Sequence, residues 1–130
     1  MSSVSLVDFE GLSVVIVDDD PKVRSVLKAL LIDLNVSVIF FDNAFDFLRD
    51  FDRCESSLIL LDLILPQMTG IECVRCLRDE GYSRPVFIFS ALYDLTLREQ
   101  SLDAGADDFF LKADFFRDLP TILTRVNEAR

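Results

Sequence analysis

Short apolar runs alternate with helix-like periodicities along almost the whole chain. Five runs are rich in Val, Ile, Leu and Phe and show no polar alternation, which is typical of strands buried on both faces of a sheet. These runs lie at 12–17, 36–41, 57–61, 85–89 and 108–111. The pattern therefore predicts five buried strands.

The segments between and after these runs place apolar residues three and four positions apart, as amphipathic helices do. They predict helices over 21–34, 44–51, 71–79, 94–104 and 115–128. Asp20 is a suitable N-cap before Pro21, Asp42 or Asn43 begins the second helix, and Gly105 ends the fourth.

Strands that alternate with helices predict an α/β fold with a parallel sheet, covered on both faces and joined by right-handed crossovers. No repeat or low-complexity segment interrupts this pattern. Ligands of such sheets bind at the carboxyl ends of the strands. The residues at that edge are therefore the first candidates for chemistry.

Polar residues follow four of the five predicted strands. Asp18 and Asp19 follow the first strand, Asp62 the third, Ser90 the fourth and Lys112 the fifth. One acidic residue at a strand end is common in surface loops, but five compatible residues at one edge indicate a site. We expect three carboxylates, a hydroxyl and an ammonium group to converge there.

Carboxylates this close repel one another, and one of them takes up a proton unless a cation lies between them. A hard divalent cation is the natural partner, and Mg²⁺ suits a few carboxylates together with water and a phosphate oxygen. A carboxylate beside Mg²⁺ can attack phosphorus and form an aspartyl-phosphate. The metal, the lysine and the hydroxyl then stabilise the charge of the transferred group.

Composition narrows the classes of protein. The chain has 130 residues, about one domain, and its 51% of hydrophobic residues can form a core. Its formal net charge of −10 and pI near 4.3 disfavour direct binding to nucleic acid or to an anionic membrane. The chain has no His, which excludes His-containing zinc sites and His-based catalytic dyads.

The three cysteines, Cys54, Cys73 and Cys76, fit neither a disulfide framework nor a four-ligand metal site. Reduced thiols in a cytoplasmic protein are a simpler interpretation than a redox motif at Cys73 and Cys76. No apolar run reaches the length of a membrane span, and residues 1–10 lack the basic cluster of a signal peptide. We therefore expect a cytoplasmic protein.

Four segments resemble the receiver domain of two-component response regulators. They read VVIVDDDP from Val14, LLDLILPQMTG from Leu60, FIFSA from Phe87 and AGADDFFLK from Ala104. The resemblance extends from residue 12 to about 126. It implies a flavodoxin-like three-layer sandwich whose five parallel strands have the order 2-1-3-4-5, with helices on both faces.

The resemblance also implies a Mg²⁺ site and a phosphoacceptor. Asp62 matches the phosphoacceptor. Asp18 and Asp19 match the acidic pair that binds the metal together with Asp62 and the backbone carbonyl of Ile64. No organic cofactor is implied.

The remaining matches concern a switch. Ser90 matches the hydroxyl that turns toward the phosphoryl group, Lys112 the lysine that pairs with that group, and Phe109 the switch aromatic. The family implies a phosphoryl acceptor rather than an enzyme in the usual sense, with at most self-phosphorylation and self-dephosphorylation. Its donor is a histidine kinase or a histidine phosphotransfer protein. The changed surface is formed by the fourth helix, the fifth strand and the fifth helix, where a second copy or an effector binds.

Three positions depart from the usual family pattern. Lys112 precedes Ala113 where the family usually has proline after a cis bond, and the sequence leaves a cis or a trans bond open. Ile64 and Leu92 are apolar where they are expected to flank the phosphoryl group. They favour slow spontaneous dephosphorylation, because they hinder attack by water.

Three other functions are consistent with parts of this sequence. A degenerate receiver that only binds other proteins is an alternative, with Ala113 in its favour. An aspartyl-phosphate phosphatase is disfavoured because Ile64 stands where such enzymes place a second Asp. A flavin domain of the same topology is disfavoured because the acidic residues after the first strand repel phosphate.

We expect residues 1–11 to form an N-terminal extension and residues 12–130 the receiver domain. The sequence leaves open the cognate kinase, the stimulus, the oligomeric state and the lifetime of the phosphorylated form. It also leaves open the output, and whether the receiver stands alone or belongs to a longer chain.

Overall fold

The structure, a computed structural model, describes residues 9–129. Its five parallel strands form one sheet in the order β2-β1-β3-β4-β5, which confirms the predicted topology. The strands are β1 (Ser13–Val17), β2 (Ser37–Phe41), β3 (Leu58–Asp62), β4 (Val86–Ser90) and β5 (Asp108–Leu111). The first four begin one residue later than the sequence predicted, and β5 has its predicted bounds.

Within residues 9–129, six α-helices flank this sheet. They are α1 (Pro21–Asp33), α2 (Ala44–Asp50), α3 (Gly70–Asp79), α4 (Leu95–Ala104), α5 (Lys112–Arg117) and α6 (Leu119–Ala129), and a short 3₁₀ turn (Phe51–Arg53) follows α2. No peptide bond between residues 9 and 129 is cis, so the bond between Lys112 and Ala113 is trans.

The apolar side chains form two cores, one on each face of the sheet. The α2–α4 core contains alternate strand residues such as Ile59 and Ile88, and the α1/α5/α6 core contains their neighbours Leu60 and Phe89. Every residue of β3 and β4 is buried, whereas β2 at the edge is only partly buried. This two-sided burial explains the continuous apolar runs in the sequence.

Local capping places the helices largely as predicted. Asp20 accepts a hydrogen bond from the amide of Lys22, and Asn43 rather than Asp42 caps α2. Gly105 ends α4 with a φ of 115°, a left-handed conformation that glycine adopts without strain.

The predicted single last helix over 115–128 is wrong, because the structure contains two helices with a break at Asp118. The first of them already begins at Lys112. Asp118 has a φ of −100° and a ψ of 12°. Pro120 lacks the N–H that would bond to the carbonyl of Phe116, so the hydrogen-bond ladder is interrupted at this point.

The packed structure includes part of the expected N-terminal extension. Phe9 is fully buried in the α1/α5/α6 core, and its carbonyl accepts a hydrogen bond from the amide of Leu12 at 2.9 Å. The rest of that extension, residues 1–8, lies outside the described residues. Between residues 9 and 129, no helix combines the length and apolarity needed to cross a membrane.

Candidate phosphoacceptor and metal site

The carboxyl ends of the strands bring the predicted acidic residues together. Asp18 directly follows β1, Asp62 is the last residue of β3, and Asp19 lies in the loop before α1. One carboxylate oxygen from each lies within 4.8 Å of the other two. Asp18 and Asp62 are buried and Asp19 is exposed, so the cluster opens to solvent on one side.

Lys112 joins this cluster from the first position of α5. Its Nζ lies 2.9 Å from Oδ2 of Asp18 and 3.4 Å from Oδ2 of Asp62. The Lys112 side chain retains only 16% of its exposure, so both ion pairs are shielded from water. The predicted convergence of Asp18, Asp19, Asp62 and Lys112 is therefore present in the structure.

The two buried carboxylates have few hydrogen bonds of their own. Oδ1 of Asp18 accepts a hydrogen bond from the amide of Asp20 at 2.8 Å. Its Oδ2 is buried without an aligned hydrogen bond and has only the ion pair with Lys112. Oδ1 of Asp62 accepts a long hydrogen bond of 3.4 Å from the amide of Ile64. The carboxylate oxygens thus keep acceptor capacity for a further ligand.

The electrostatics of the cluster favour a cation. Burial, and next the charge of Asp18, raise the pKa of Asp62 from 3.8 to about 6, although Lys112 and the Ile64 amide oppose the rise. Burial lowers the pKa of Lys112, but the ion pair with Asp18 and the charge of Asp62 outweigh it and raise this pKa overall. One lysine therefore does not offset the cost of ionising Asp62.

Ser90 lies at the same edge but faces the other core. Strand alternation directs Ser90 with Val86 and Ile88 toward the α2–α4 core, and directs Asp62 with Leu60 toward the α1/α5/α6 core. Ser90 is buried, and its Oγ accepts a hydrogen bond from the amide of Leu92 at 3.2 Å. A switch role for Ser90 stays a prediction.

Phe109 is buried on the Ser90 side of the sheet. It belongs to the α2–α4 core, and its ring contacts the ring of exposed Tyr93 edge-on, with the centroids 6.3 Å apart. Ile64 and Leu92 are 68% and 76% exposed. The switch role of Phe109 and the metal-binding role of the Ile64 carbonyl stay predictions.

Two features of the site were missed by sequence reasoning. Nζ of Lys112 lies 5.0 Å from the ring centroid of Phe89, a buried residue that the sequence shows only as one more apolar strand position. Gly70 packs so closely under the site that an added Cβ would lie 2.5 Å from the carbonyl oxygen of Asp62. Both depend on tertiary packing, although Gly70 belongs to a motif that the sequence singled out.

Comparison with known proteins decides the family. The family model described as the response regulator receiver domain matches residues 14–124. The chain belongs to this family.

Curated relatives of this receiver domain include two longer regulators. The response regulator protein TodT of Pseudomonas putida is 34% identical over 97 residues, which cover 75% of this chain and 43% of TodT. The transcriptional regulatory protein PcoR of Escherichia coli is 29% identical over 118 residues, which cover 90% of this chain and 52% of PcoR. The receiver domain thus spans about half the length of these relatives.

Solved structures agree with the fold. The receiver domain of the Francisella response regulator 1452 has a TM-score of 0.84 at 22% identity and covers 92% of this chain and 98% of its own. The receiver domain of the sensor histidine kinase PA1611 from Pseudomonas aeruginosa has a TM-score of 0.80 at 28% identity, with coverages of 91% and 98%. That neighbour has a magnesium ion coordinated in its active-site cleft.

The acidic cluster of this receiver domain fits a hard divalent cation. It offers oxygen donors only, and one buried oxygen of Asp18 lacks an aligned hydrogen bond. Burial, and next the charge of Asp18, raise the pKa of Asp62 despite Lys112, so the ionised carboxylate lacks sufficient compensating positive charge. A divalent cation supplies the missing charge, and oxygen-only donors suit Mg²⁺ rather than a softer metal.

Proposed function

We propose that Asp62 accepts a phosphoryl group from a phosphohistidine of a histidine kinase or a histidine phosphotransfer protein. An oxygen of Asp62 bonds to phosphorus, the histidine N–P bond breaks, and the imidazole leaves with that electron pair and takes up a proton. The observation that supports this proposal is the convergence of Asp18, Asp19 and Asp62 within 4.8 Å beside the ammonium of Lys112.

Each residue has a defined part in this proposal. Asp18, Asp19, Asp62 and the Ile64 carbonyl hold Mg²⁺, which when bound neutralises charge on the transferred group and on the carboxylates. Lys112 pairs with a phosphoryl oxygen, since its Nζ already lies 3.4 Å from Asp62. The protein is a stoichiometric acceptor, whose only catalysis is its own phosphorylation and dephosphorylation.

The output in this proposal is a changed surface. Ser90 turns toward the phosphoryl group and releases the Leu92 amide, to which it is bonded now. Phe109 then repacks, and a surface binds a second copy or a downstream effector. This surface is formed by α4, β5 and the helices α5 and α6, which together correspond to the predicted fifth helix. We place the protein in the cytoplasm, in keeping with its three free cysteines, and propose no direct contact with nucleic acid or membrane.

Phosphorylation with a small donor tests this function. The protein is incubated with acetyl phosphate and Mg²⁺, and its intact mass is measured. We expect one added phosphoryl group in the wild type and in Asp79→Asn, which removes an exposed carboxylate on α3, but none in Asp62→Asn or after chelation of Mg²⁺. Equal labelling of Asp62→Asn would contradict the proposal.

The decay of the phosphorylated protein tests the part played by the apolar rim. After removal of the donor, we expect a half-life of minutes or longer, because Ile64 and Leu92 present no polar group that would orient an attacking water. Ile64→Asn should shorten this half-life. A wild-type half-life of seconds would show that the rim does not protect the acyl phosphate.

A further inference from the structure

We propose that Phe89 is a positioning residue for Lys112. Its buried ring forms a floor on which the ammonium group stays beside Asp18 and Asp62, whatever else these carboxylates bind. The importance of this contact for phosphoryl transfer rests on the proposed function, whereas the contact itself does not.

The geometry is that of a cation–π interaction. Nζ of Lys112 lies 5.0 Å from the centroid of the Phe89 ring, within the distance of about 6 Å at which such attraction is significant. Phe89 has no exposed surface, and the Lys112 side chain keeps only 16% of its own. Little water competes for the ammonium, so the contact is stronger than its surface counterpart.

The sheet explains why the ring lies at this point. Phe89 of β4 is paired in register with Asp62 of β3, and strand alternation directs both side chains to the α1/α5/α6 face. The amide of Leu63 also donates to the carbonyl of Phe89 at 3.0 Å, which extends the pairing past the phosphoacceptor. Phe89 is therefore the direct cross-strand neighbour of Asp62.

The ring is held by other aromatic residues. Phe89 contacts Phe115 edge-on at 5.8 Å between centroids, and Phe115 contacts Phe110 at 5.7 Å. Phe115 belongs to α5, the helix whose first residue is Lys112. The helix that carries the lysine is thus packed on the ring beneath the ammonium.

The neutral Phe89 ring can hold Lys112 at the site even when a cation occupies the carboxylates. A divalent cation bound to Asp18 and Asp62 draws on the same oxygens that pair with Lys112, and it repels the ammonium. The face of an aromatic ring attracts a cation but does not bind Mg²⁺ in competition with carboxylates. Phe89 therefore retains Lys112 at the site when its ion pairs weaken.

Lysine NMR tests the contact directly. The chain has three lysines, Lys22, Lys28 and Lys112, and Lys112→Arg assigns the third signal. With the full chain labelled at lysine ¹³Cε, we expect the Hε protons of Lys112 to lie upfield of those of the other two lysines, because the adjacent Nζ lies over the Phe89 ring. The shift should persist with Mg²⁺ and in Phe87→Leu, and should vanish in Phe89→Leu.

Phosphorylation kinetics test the consequence. At saturating Mg²⁺, Phe89→Leu should slow labelling by acetyl phosphate by about three- to thirtyfold, the range that a shielded cation–π contact corresponds to, with Mg²⁺ affinity unchanged. Phe87→Leu removes a similarly buried ring from the same strand and core, and should leave the rate unchanged. Phe89→Met replaces Phe89→Leu if the latter fails to fold.

The outcomes separate the two proposals. Hε protons of Lys112 that coincide with those of the exposed lysines in the wild type would overturn the contact. Equal slowing in Phe89→Leu and Phe87→Leu would overturn the positioning role. A wild type that shows the shifted signal but takes up no phosphoryl group would contradict the proposed function while the contact stands.

Discussion

Among single residues, Asp62 shows how burial sets the chemistry of the site. Its side chain is nearly inaccessible and lies next to a second buried carboxylate, and these two causes raise its pKa to about 6. The residue best placed to accept a phosphoryl group is therefore costly to ionise in the metal-free protein. This cost connects the site to the stability of the fold.

The first prediction concerns stability against pH without metal. The folded protein holds a proton on Asp62 up to about pH 6, whereas the unfolded chain loses it near 3.8, so this residue lowers stability as pH rises through that window. Well above pH 6 this effect is complete, and it lowers the free energy of unfolding by about 3 kcal/mol. Asp62→Asn should therefore be more stable than the wild type at pH 7, with a gap that closes toward pH 4.

Urea unfolding in the presence of a chelator measures this gap. Asp79→Asn is the matched control, because its carboxylate is exposed and its substitution should change stability little at either pH. A difference between Asp62→Asn and the wild type that does not vary between pH 4 and 7 would contradict the raised pKa.

The second prediction concerns Gly70. An alanine Cβ would lie 2.5 Å from the Asp62 carbonyl oxygen and 3.1 Å from Cα of Leu63, both backbone atoms of the loop under the site. Gly70→Ala should lower the free energy of unfolding by about 1–3 kcal/mol and also weaken Mg²⁺ binding, because the loop must shift.

Gly81→Ala provides the comparison for Gly70→Ala. Gly81 has a φ of 90° but open space around its added Cβ, so alanine there costs stability without touching the site. Titration of both variants with Mg²⁺ measures the difference. An unchanged Mg²⁺ affinity in Gly70→Ala would show that the loop accommodates the added methyl group without displacing the metal-binding residues.

The position of a site residue could be predicted where strand order alone determines it, but not where tertiary packing does. Asp18, Asp62 and Lys112 follow from chain position alone, because a parallel sheet aligns the ends of its strands at one edge. The Phe89 contact depends on the register of β3 against β4 and on where α5 begins, neither of which an apolar run specifies.

At the scale of elements, Arg78 ties three segments together at the edge opposite the site. Its guanidinium donates to the carbonyls of Gly105, Tyr82 and Arg84 at 2.7–3.0 Å, and to a carboxylate oxygen of Asp107 at 2.9 Å. The same Asp107 oxygen accepts the amide of Val86 at 2.9 Å. The end of α3 is thereby joined to the start of β4 and to the α4–β5 turn.

The third prediction follows from this arrangement. Arg78→Met should lower the free energy of unfolding by about 2–4 kcal/mol, because two partly buried carbonyls and two exposed acceptors lose their donor at once. Arg75→Met, at an exposed position of the same helix, should stay within about 0.5 kcal/mol of the wild type. Chemical denaturation of both variants measures this, and similar losses in the two would contradict the role of Arg78.

Elements with strong local signals were predictable, and those shaped by packing were less so. Asp20 before Pro21 gave the start of α1, and Gly105 gave the end of α4. The break at Asp118 has a local cause in Pro120, but the apolar periodicity continues across it and predicts one helix. The helix α5 begins at Lys112 without a side-chain cap and packs against β4 and β5, so no local capping signal marks its start.

For the whole molecule, the site concentrates part of a large negative charge. The net charge is −10, and three carboxylates share one opening at the sheet edge. A divalent cation that binds the folded chain better than the unfolded chain must therefore stabilise the fold.

The fourth prediction measures this stabilisation. Mg²⁺ at a hundred times its dissociation constant should raise the free energy of unfolding by about 2.7 kcal/mol, and thermal denaturation follows the effect. Asp18→Ala and Asp19→Ala should lose it, and Asp33→Ala, at an exposed position of α1, should retain it. If NaCl of the same ionic strength raised the free energy of unfolding equally, the effect would be charge screening and not Mg²⁺ binding.

The opposite facing of Asp62 and Ser90 has a mechanical consequence. A group attached to Asp62 is anchored in the layer of α1, α5 and α6, whereas a hydroxyl that reaches for it departs from the layer of α2, α3 and α4. In the proposed switch, the signal therefore passes around the end of the sheet rather than through it. The strands can remain a rigid partition, while the proposed remodelling involves loops and helices of both layers, α4 on one side and α5 and α6 on the other.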